Sequence, residues 1–335
     1  MTVLIRILIS LVGLGIVAWV LRGIDLLETG QALLSAQVPY LLLGALLVAV
    51  GAFSRILRWK YMLSPRKNIS LGTLFGPLTI GFAIGNITAT GLGAIPRSLL
   101  VSRKESVPVS FVLGTVLLEF VLDAAVVVSW AAVAAFAVGL PAPLPYLLLL
   151  FAICIFLIIL AFRRRRSMLV PFLPVERMAG LVSRLPEEWR EGWEGFQEGA
   201  SAFLNDPGSL VRVGLITLWI WVVEALMFWV LLLAAGIPAD PAQGSVVMAF
   251  THVIIGVPSL PGFVGTLDLA AVTSLGTMGF TGARVLSYTL IIHAFLIVPL
   301  TVVGGLMAWR EGITLNWSKL GTDCSQSSNT TACKT

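Results

Sequence analysis

Residues 70–104 read SLGTLFGPLTIGFAIGNITATGLGAIPRSLLVSRK, and 110–128 continue as SFVLGTVLLEFVLDAAVVV. The first stretch is apolar enough to lie in lipid, yet Gly72, Gly76, Gly81, Gly85, Gly91, Gly93, Pro77, Pro96 and Asn86 punctuate it. A lipid-facing helix must satisfy its own backbone groups, so such punctuation is tolerated only where the segment is enclosed by protein or lines a wet cavity. The second stretch carries Glu119 and Asp123, four residues apart and so on one helical face, inside an otherwise uncharged run. Ionisable groups at membrane depth are costly and point to function.

Working outward, the chain has 58% hydrophobic and only 12% charged residues, with a mean hydropathy of +0.97, which excludes an ordinary soluble domain. Residues 7–21, 38–57, 107–138, 146–162, 210–235 and 284–309 read as six full spans. Residues 71–97 and 244–280 read as interrupted regions, the second broken at VPSLPGFVG and holding Asp268. The second span ends in Arg55, Arg58, Trp59, Lys60 and Tyr61, a composition typical of an anchor at the membrane surface. On the same side, Arg55 and Arg58 could also collect anionic headgroups. Between the halves, residues 163–208 form a polar insert whose segment 185–204 sets Trp189, Trp193, Phe196 and Phe203 along one helical side. That pattern fits a helix lying on the membrane or packing on the protein's own cytoplasmic face. The expected organisation is one transmembrane domain over 1–312 (halves 1–162 and 209–312) and a polar cytoplasmic tail, 313–335.

Positive charge decides how the broken segments sit. If 71–97 enters and leaves on one side, and 244–280 does the same from the other, all Lys and Arg except Arg22 and Arg284 fall on a single face. The positive-inside tendency makes that face cytoplasmic, together with both termini, in a plasma (inner) membrane. The expected fold is therefore all-α and polytopic, with about six spans and two oppositely oriented re-entrant hairpins. Displacing the first hairpin by 174 residues lays Gly91 on Gly265, Ala94 on Asp268 and Glu119 on His293, the mark of an inverted repeat whose substrate site lies near the midplane.

Several residues then become candidates. Arg97, just beyond the first break, reads either as a ligand for a lipid phosphate or as a cytoplasmic anchor. Glu119 and Asp123 read as a proton site, as partners of Arg97 or His293 in a gate, or as a structural pair bonded to Ser, Thr or backbone groups. Asp268 reads similarly, and His293 as a proton relay or a packing residue. Asn86 is expected to bond carbonyls freed by a break, while Glu224 has no partner nameable from sequence. The breaks themselves rest on Gly91, Gly93, Pro261, Gly262 and Gly265. Three cysteines and two histidines, His252 and His293, give neither a disulfide framework nor a metal site, and no cofactor or nucleic-acid partner is expected.

These residues resemble the flippase-like family that includes the transmembrane portion of lysylphosphatidylglycerol synthases. The similarity runs over about residues 7–309. The family's Arg-x-x-Arg-Trp is matched by Arg55, Arg58 and Trp59; its Asn, glycine-rich turn and Arg by Asn86, Gly91, Gly93 and Arg97; its acidic pair by Glu119 and Asp123. The second-half Pro-Gly-x-x-Gly-x-x-acidic motif is matched by Pro261, Gly262, Gly265 and Asp268, followed by Pro299, Gly304 and Gly305. The chain departs from the family at Ala94, where Glu is common, at Phe120, where Arg is common beside the first acid, and near His293, where Arg is common. The resemblance implies a translocase for a phospholipid or polyprenyl-phosphate-linked lipid, without the aminoacyl-transferring domain, since only a short tail follows Trp309. Its partners would be membrane lipids with anionic headgroups, with proton or ion coupling and homo-oligomerisation both open. The rival expectations are a secondary transporter of a small anionic solute or ion, and a membrane-embedded lipid-modifying glycosyl transferase. For the latter, no acidic metal motif, phosphate loop or nucleophile elbow is present in the sequence.

Overall fold

The computed structural model describes residues 26–88, 91–137, 146–147, 149–153, 195, 198–199, 206–255 and 260–312. The first span, just over half of 146–162 and all but three positions of the amphipathic segment 185–204 lie outside the described residues. Those described are all-helical, with no strand among them. Five helical segments are long and apolar enough to cross a membrane: Val38–Leu63, Leu71–Thr88, Val109–Phe136, Pro207–Ala234 and Ala283–Arg310.

In chain order the helices are α1 (Leu26–Leu34), α2 (Val38–Leu63), α3 (Leu71–Thr88), α4 (Ala94–Glu105), α5 (Val109–Ala137), α6 (Pro207–Ala234), α7 (Pro241–Ile255), α8 (Thr266–Thr277), α9 (Ala283–Leu296) and α10 (Val298–Arg310). Short 3-10 turns at Gly91–Gly93 and Pro261–Phe263 join α3 to α4 and α7 to α8. Local sequence explains the ends. Asp206 precedes Pro207 and accepts from the backbone N–H groups of Gly208 (3.2 Å) and Ser209 (3.0 Å), satisfying donors that the first turn of α6 leaves free. These bonds, chiefly those from Ser209, hold the Asp206 carboxyl below its ordinary range. On α6, exposed Leu215, Leu218, Trp219, Val222 and Leu226 recur at helical spacing, whereas Thr217, Trp221 and Glu224 face inward. An apolar outer face with polar groups inside is what lipid, rather than water, requires.

α2 and α6 lie side by side and antiparallel. The Gln37 N–H donates to Ala234 O (2.9 Å) at one end, and Arg212 stacks 5.0 Å from the Tyr61 ring at the other. The end of α4 returns to the end of α2: Lys67 Nζ is 2.9 Å from Glu105, and Lys104 pairs with Glu311 just after α10. α3 and α4 therefore form a hairpin whose open ends share the face on which α2 finishes. Glycine permits it. A Cβ on Gly93 would lie 2.0 Å from Gly81 O, so the two arms touch backbone to backbone. A Cβ on Gly304 would lie 2.1 Å from Thr79 O, so α10 crosses α3 equally closely.

α7 and α8 form the second hairpin, with its open ends at the opposite face. There Trp229 of α6 presses on Gly244, and Arg284 donates to Gly236 O at 3.2 Å. The turn holds Gly262 at φ 74°, Phe263 at φ 57° and Gly265 at φ 90° and packs on α3. Phe263 in the left-handed region is a strained position for a bulky residue.

Two expectations change in detail. Residues 71–97 are not broken throughout: α3 runs unbroken past Pro77 and the interruption falls after Thr88. The last span is itself interrupted at Ile297, two residues before Pro299, because a proline cannot supply the N–H that would continue the ladder. A displacement of 174 residues carries Val109 onto Ala283, so that α5 overlies α9 and α10, and each half reads arm, 3-10 turn, short arm, long helical segment.

Candidate functional site

Two large apolar clusters fill most of the interior among the described residues. One gathers Trp59, Met62, Leu63, Leu78, Phe111, Leu118 and Val213; the other starts at Val127 and Trp221 and includes Phe228, Met248, Leu275 and Tyr288. Between them, on α5 and α6, lie Glu119, Asp123 and Thr217. Three helices present matched faces there: Arg55, Arg58 and Trp59 on α2, Thr115, Glu119 and Asp123 on α5, and Thr217, Trp221 and Glu224 on α6, all at helical repeats. Arg97 reaches in from α4.

Arg58 is the hub, with no exposed surface. Its Nη1 and Nη2 grip the Asp123 carboxylate from two sides (2.6 and 2.8 Å), Nη2 also donates to Glu119 Oε1 (2.7 Å), and Nη1 to Thr217 Oγ1 (3.3 Å). The other Glu119 oxygen, Oε2, is held by Arg97 Nη2. Arg97 in turn lies over the Trp59 ring, its guanidinium carbon 4.2 Å from the centroid, and Trp59 Nε1 donates to Thr115 Oγ1 (3.3 Å). Trp221 Nε1 donates to Asp123 Oδ1 (3.0 Å). One turn back along α2, Arg55 Nη2 bonds Glu224 Oε2 (2.9 Å), whose other oxygen stands 3.7 Å from His252 Nε2.

The electrostatic arithmetic is simple. Arg55, Arg58 and Arg97 carry three positive charges, and Glu119, Asp123 and Glu224 three negative ones. Buried pairs of this kind contribute little net stability, because desolvation consumes most of the Coulombic gain, but losing one partner strands a charge in low dielectric. Glu119 is the tenth residue beyond Val109, about 15 Å along α5 and roughly half the depth of a hydrocarbon core. A hydrogen-bonded network here fastens α2, α4, α5 and α6 to one another. Its Arg58 and Arg97 Nε atoms are buried without a partner among the described residues.

Arg97, Glu119 and Asp123 thus meet, but around Arg58, and His293 is not a partner of Glu119. The anchor reading of Arg55, Arg58 and Trp59 is corrected: Arg58 and Trp59 are fully enclosed, because α2 continues to Leu63 and carries them inside the bundle. Arg55 is turned onto Glu224 instead of the headgroups. Glu224 gains the two partners that sequence did not name. Asn86 donates across to α10, to Thr301 Oγ1 (3.0 Å) and Ile297 O (3.3 Å), bridging the interruption of the last span rather than that of its own segment. Gly91 and Gly93 form the first turn, and Pro261, Gly262 and Gly265 lie at the second.

In the second half, Asp268 Oδ2 accepts from Gly265 N–H (3.0 Å), capping its own helix. Its other oxygen is 3.7 Å from His293 Nδ1, which donates to Thr289 O (2.8 Å). His293 Nε2 is buried without a partner among the described residues. No cluster of three metal-holding side chains occurs among them. The signal that could have revealed Arg58 is its spacing from Arg55 and Trp59, which puts all three on one side of α2 and so on one side of a bundle.

The family described as the lysylphosphatidylglycerol synthase TM region matches residues 3–304. The chain belongs to this family. The match takes in every residue of the network and both hairpins, and agrees with the resemblance carried by the Arg-x-x-Arg-Trp, acidic-pair and Pro-Gly motifs. A comparison with curated proteins gives no match. The protein is accordingly an integral membrane protein related to the membrane region of a lipid synthase.

Proposed function

We propose that this protein moves a phosphate-bearing lipid, a phospholipid or a polyprenyl-phosphate-linked carrier, between the leaflets of the plasma membrane, with both termini cytoplasmic. In this reading the two hairpins re-enter the bilayer from opposite faces and flank a polar path for the headgroup, while the tails stay in lipid. Alternating access comes from one half rocking against the other. The observation that carries the reading is Arg97, a buried guanidinium on a hairpin arm of 12 residues, about 18 Å and too short to cross a 30 Å core. An arm of that length ends inside the membrane and brings its charge with it.

The network also supports an exchange. Glu119 uses one oxygen for Arg58 and the other for Arg97. When a headgroup phosphate takes Arg97, Glu119 keeps Arg58, so no carboxylate is stranded. Arg97 still has its unpaired Nε–H for a second phosphate oxygen, giving the forked geometry that guanidinium offers to phosphate. Family membership supports a lipid rather than a soluble solute.

The test is leaflet exchange in proteoliposomes carrying fluorescent phosphatidylglycerol or fluorescent polyprenyl phosphate, with uptake of a soluble organic anion measured in parallel. Protein-dependent exchange of either lipid is expected. Uptake of the soluble anion with no lipid exchange would replace this reading by that of a solute transporter.

A further inference from the structure

Among the described residues, His252 is the one titratable group that touches the arginine–carboxylate network without belonging to its charge balance. It sits on α7, the first arm of the second hairpin. Its Nδ1 donates to Met248 O (3.0 Å), which leaves Nε2 in the neutral ring as a bare lone pair facing Glu224 Oε1 at 3.7 Å. A proton added at Nε2 would therefore arrive between the imidazole and a carboxylate. The ring is also packed edge-on against Trp221, 4.8 Å between centroids, and tilted against Phe228 at 5.7 Å. Trp221 is the same indole that holds Asp123. Through that indole and through Glu224, the second hairpin is joined to the network that clasps the first.

The neighbours of His252 are few. From α6 comes Glu224, from α2 Arg55 behind it, and from α5 Asp123, whose charge reaches the ring. The ionisable residue of α8 is Asp268, occupied with Gly265 and facing His293. About 17% of the His252 side chain is left uncovered by the protein.

We propose that His252 is a proton-binding site that couples headgroup movement to proton movement, an inference that rests on the translocase reading above. The reason is charge. With three arginines matched by three carboxylates, the empty site is neutral. Seating an anionic phosphate on Arg97 leaves it one negative charge in excess, in a medium where uncompensated charge is expensive. A proton taken from water onto His252 Nε2 restores neutrality and makes an Nε2–H to Glu224 bond, tightening α7 onto α6 as the headgroup loosens α4 from Glu119. Headgroup and proton then cross together as an uncharged load, and both leave on the far side.

The experiment uses the full chain in proteoliposomes with fluorescent phosphatidylglycerol and an imposed pH difference. One proton per headgroup allows a one-unit gradient to sustain up to about a tenfold leaflet ratio. Wild type is expected to accumulate the probe in the leaflet facing the more alkaline compartment, and His252→Gln to show no bias. Glu224→Gln, which keeps an acceptor for Arg55 but removes both the charge facing Nε2 and the negative charge that the proton offsets, should move the pH dependence of the bias to lower pH by at least about one unit and at the limit abolish the bias. Should His252→Gln fail to fold, as judged by gel filtration, that Glu224→Gln shift decides the matter. Exchange that runs to the same leaflet ratio with and without the gradient overturns the coupling and leaves the translocase reading intact. A persistent bias in His252→Gln, or an unshifted profile in Glu224→Gln, overturns the assignment to His252. Absence of exchange in wild type overturns both readings together.

Discussion

The two hairpins share a plan and differ in how their second arms are held. In the first, Arg97 stands four residues beyond Gly93 and is clasped by Glu119, roofed by Trp59 and tied through Glu119 to Arg58. In the second, Asp268 stands three residues beyond Gly265, bonds its own helix start and faces His293 only at 3.7 Å. Buried polar atoms without partners follow the same division. Among the described residues, Thr251, Ser287, Tyr288 and the His293 Nε2 all belong to α7 and α9, whereas in the first half only the two arginine Nε atoms are left over. One hairpin's second arm is locked by charge; the other is packed by apolar contacts near uncommitted polar groups. In the translocase reading, the arm that has to release its hold is the locked one, and the lock is what a phosphate would compete for.

If this contrast is right, substitutions should sort by it. Arg58→Ala strands Asp123 and leaves Glu119 with Arg97 alone, and should be the most damaging, costing about 3–5 kcal/mol of stability. Thermal unfolding in detergent or nanodiscs reads this directly, and a loss under about 1 kcal/mol would mean that the network is solvated and not a lock. Gly93→Ala comes next, since its Cβ would meet Gly81 O at 2.0 Å, and forcing the arms apart should cost about 1–3 kcal/mol. Gly305→Ala, with nothing within 4 Å, is the control and should be neutral or slightly stabilising. Asp268→Asn retains an oxygen for Gly265 N–H and removes only the charge, so its cost should be about 1 kcal/mol or less.

The smallest effect lies outside the membrane, at Asp206. Its carboxyl is held below the ordinary range by the Ser209 and Gly208 N–H groups, so its capping contribution is complete at neutral pH and down to about pH 4, and fades as the pH falls through the lowered value. Asp206→Ala should therefore lower the unfolding temperature slightly at pH 7 and make no difference at the acid end. A difference that grows toward low pH would reverse the sign of the argument.

Much of this architecture is legible in the residues themselves. The glycines at 81 and 93 and the basic clusters at 66–67 and 103–104 announce a segment that returns to the face it left, and Lys67 against Glu105 is the contact that follows. The acidic pair at 119 and 123 is equally plain, since nothing else in that helix is charged. What was hidden is non-local. Arg58 resembles an interfacial arginine because Trp, Lys and Tyr follow it, and only the packing of residues 69–78 and 111 over the end of α2 turns it inward. Glu224 meets Arg55 across 169 residues, a separation over which no local pattern carries information. Asn86 was expected to mend a helix break, and it does so on another helix, because α10 crosses α3 at Gly304.

The most direct measurement is the rate at which fluorescent phosphatidylglycerol changes leaflets in proteoliposomes containing Arg97→Ala, against wild type and against empty vesicles. The loss of one charge-assisted phosphate contact, about 1.5–3 kcal/mol, predicts a fall of at least about tenfold toward the empty-vesicle rate. An Arg97→Ala protein that folds and exchanges lipid at the wild-type rate would contradict the claim that this guanidinium receives the headgroup.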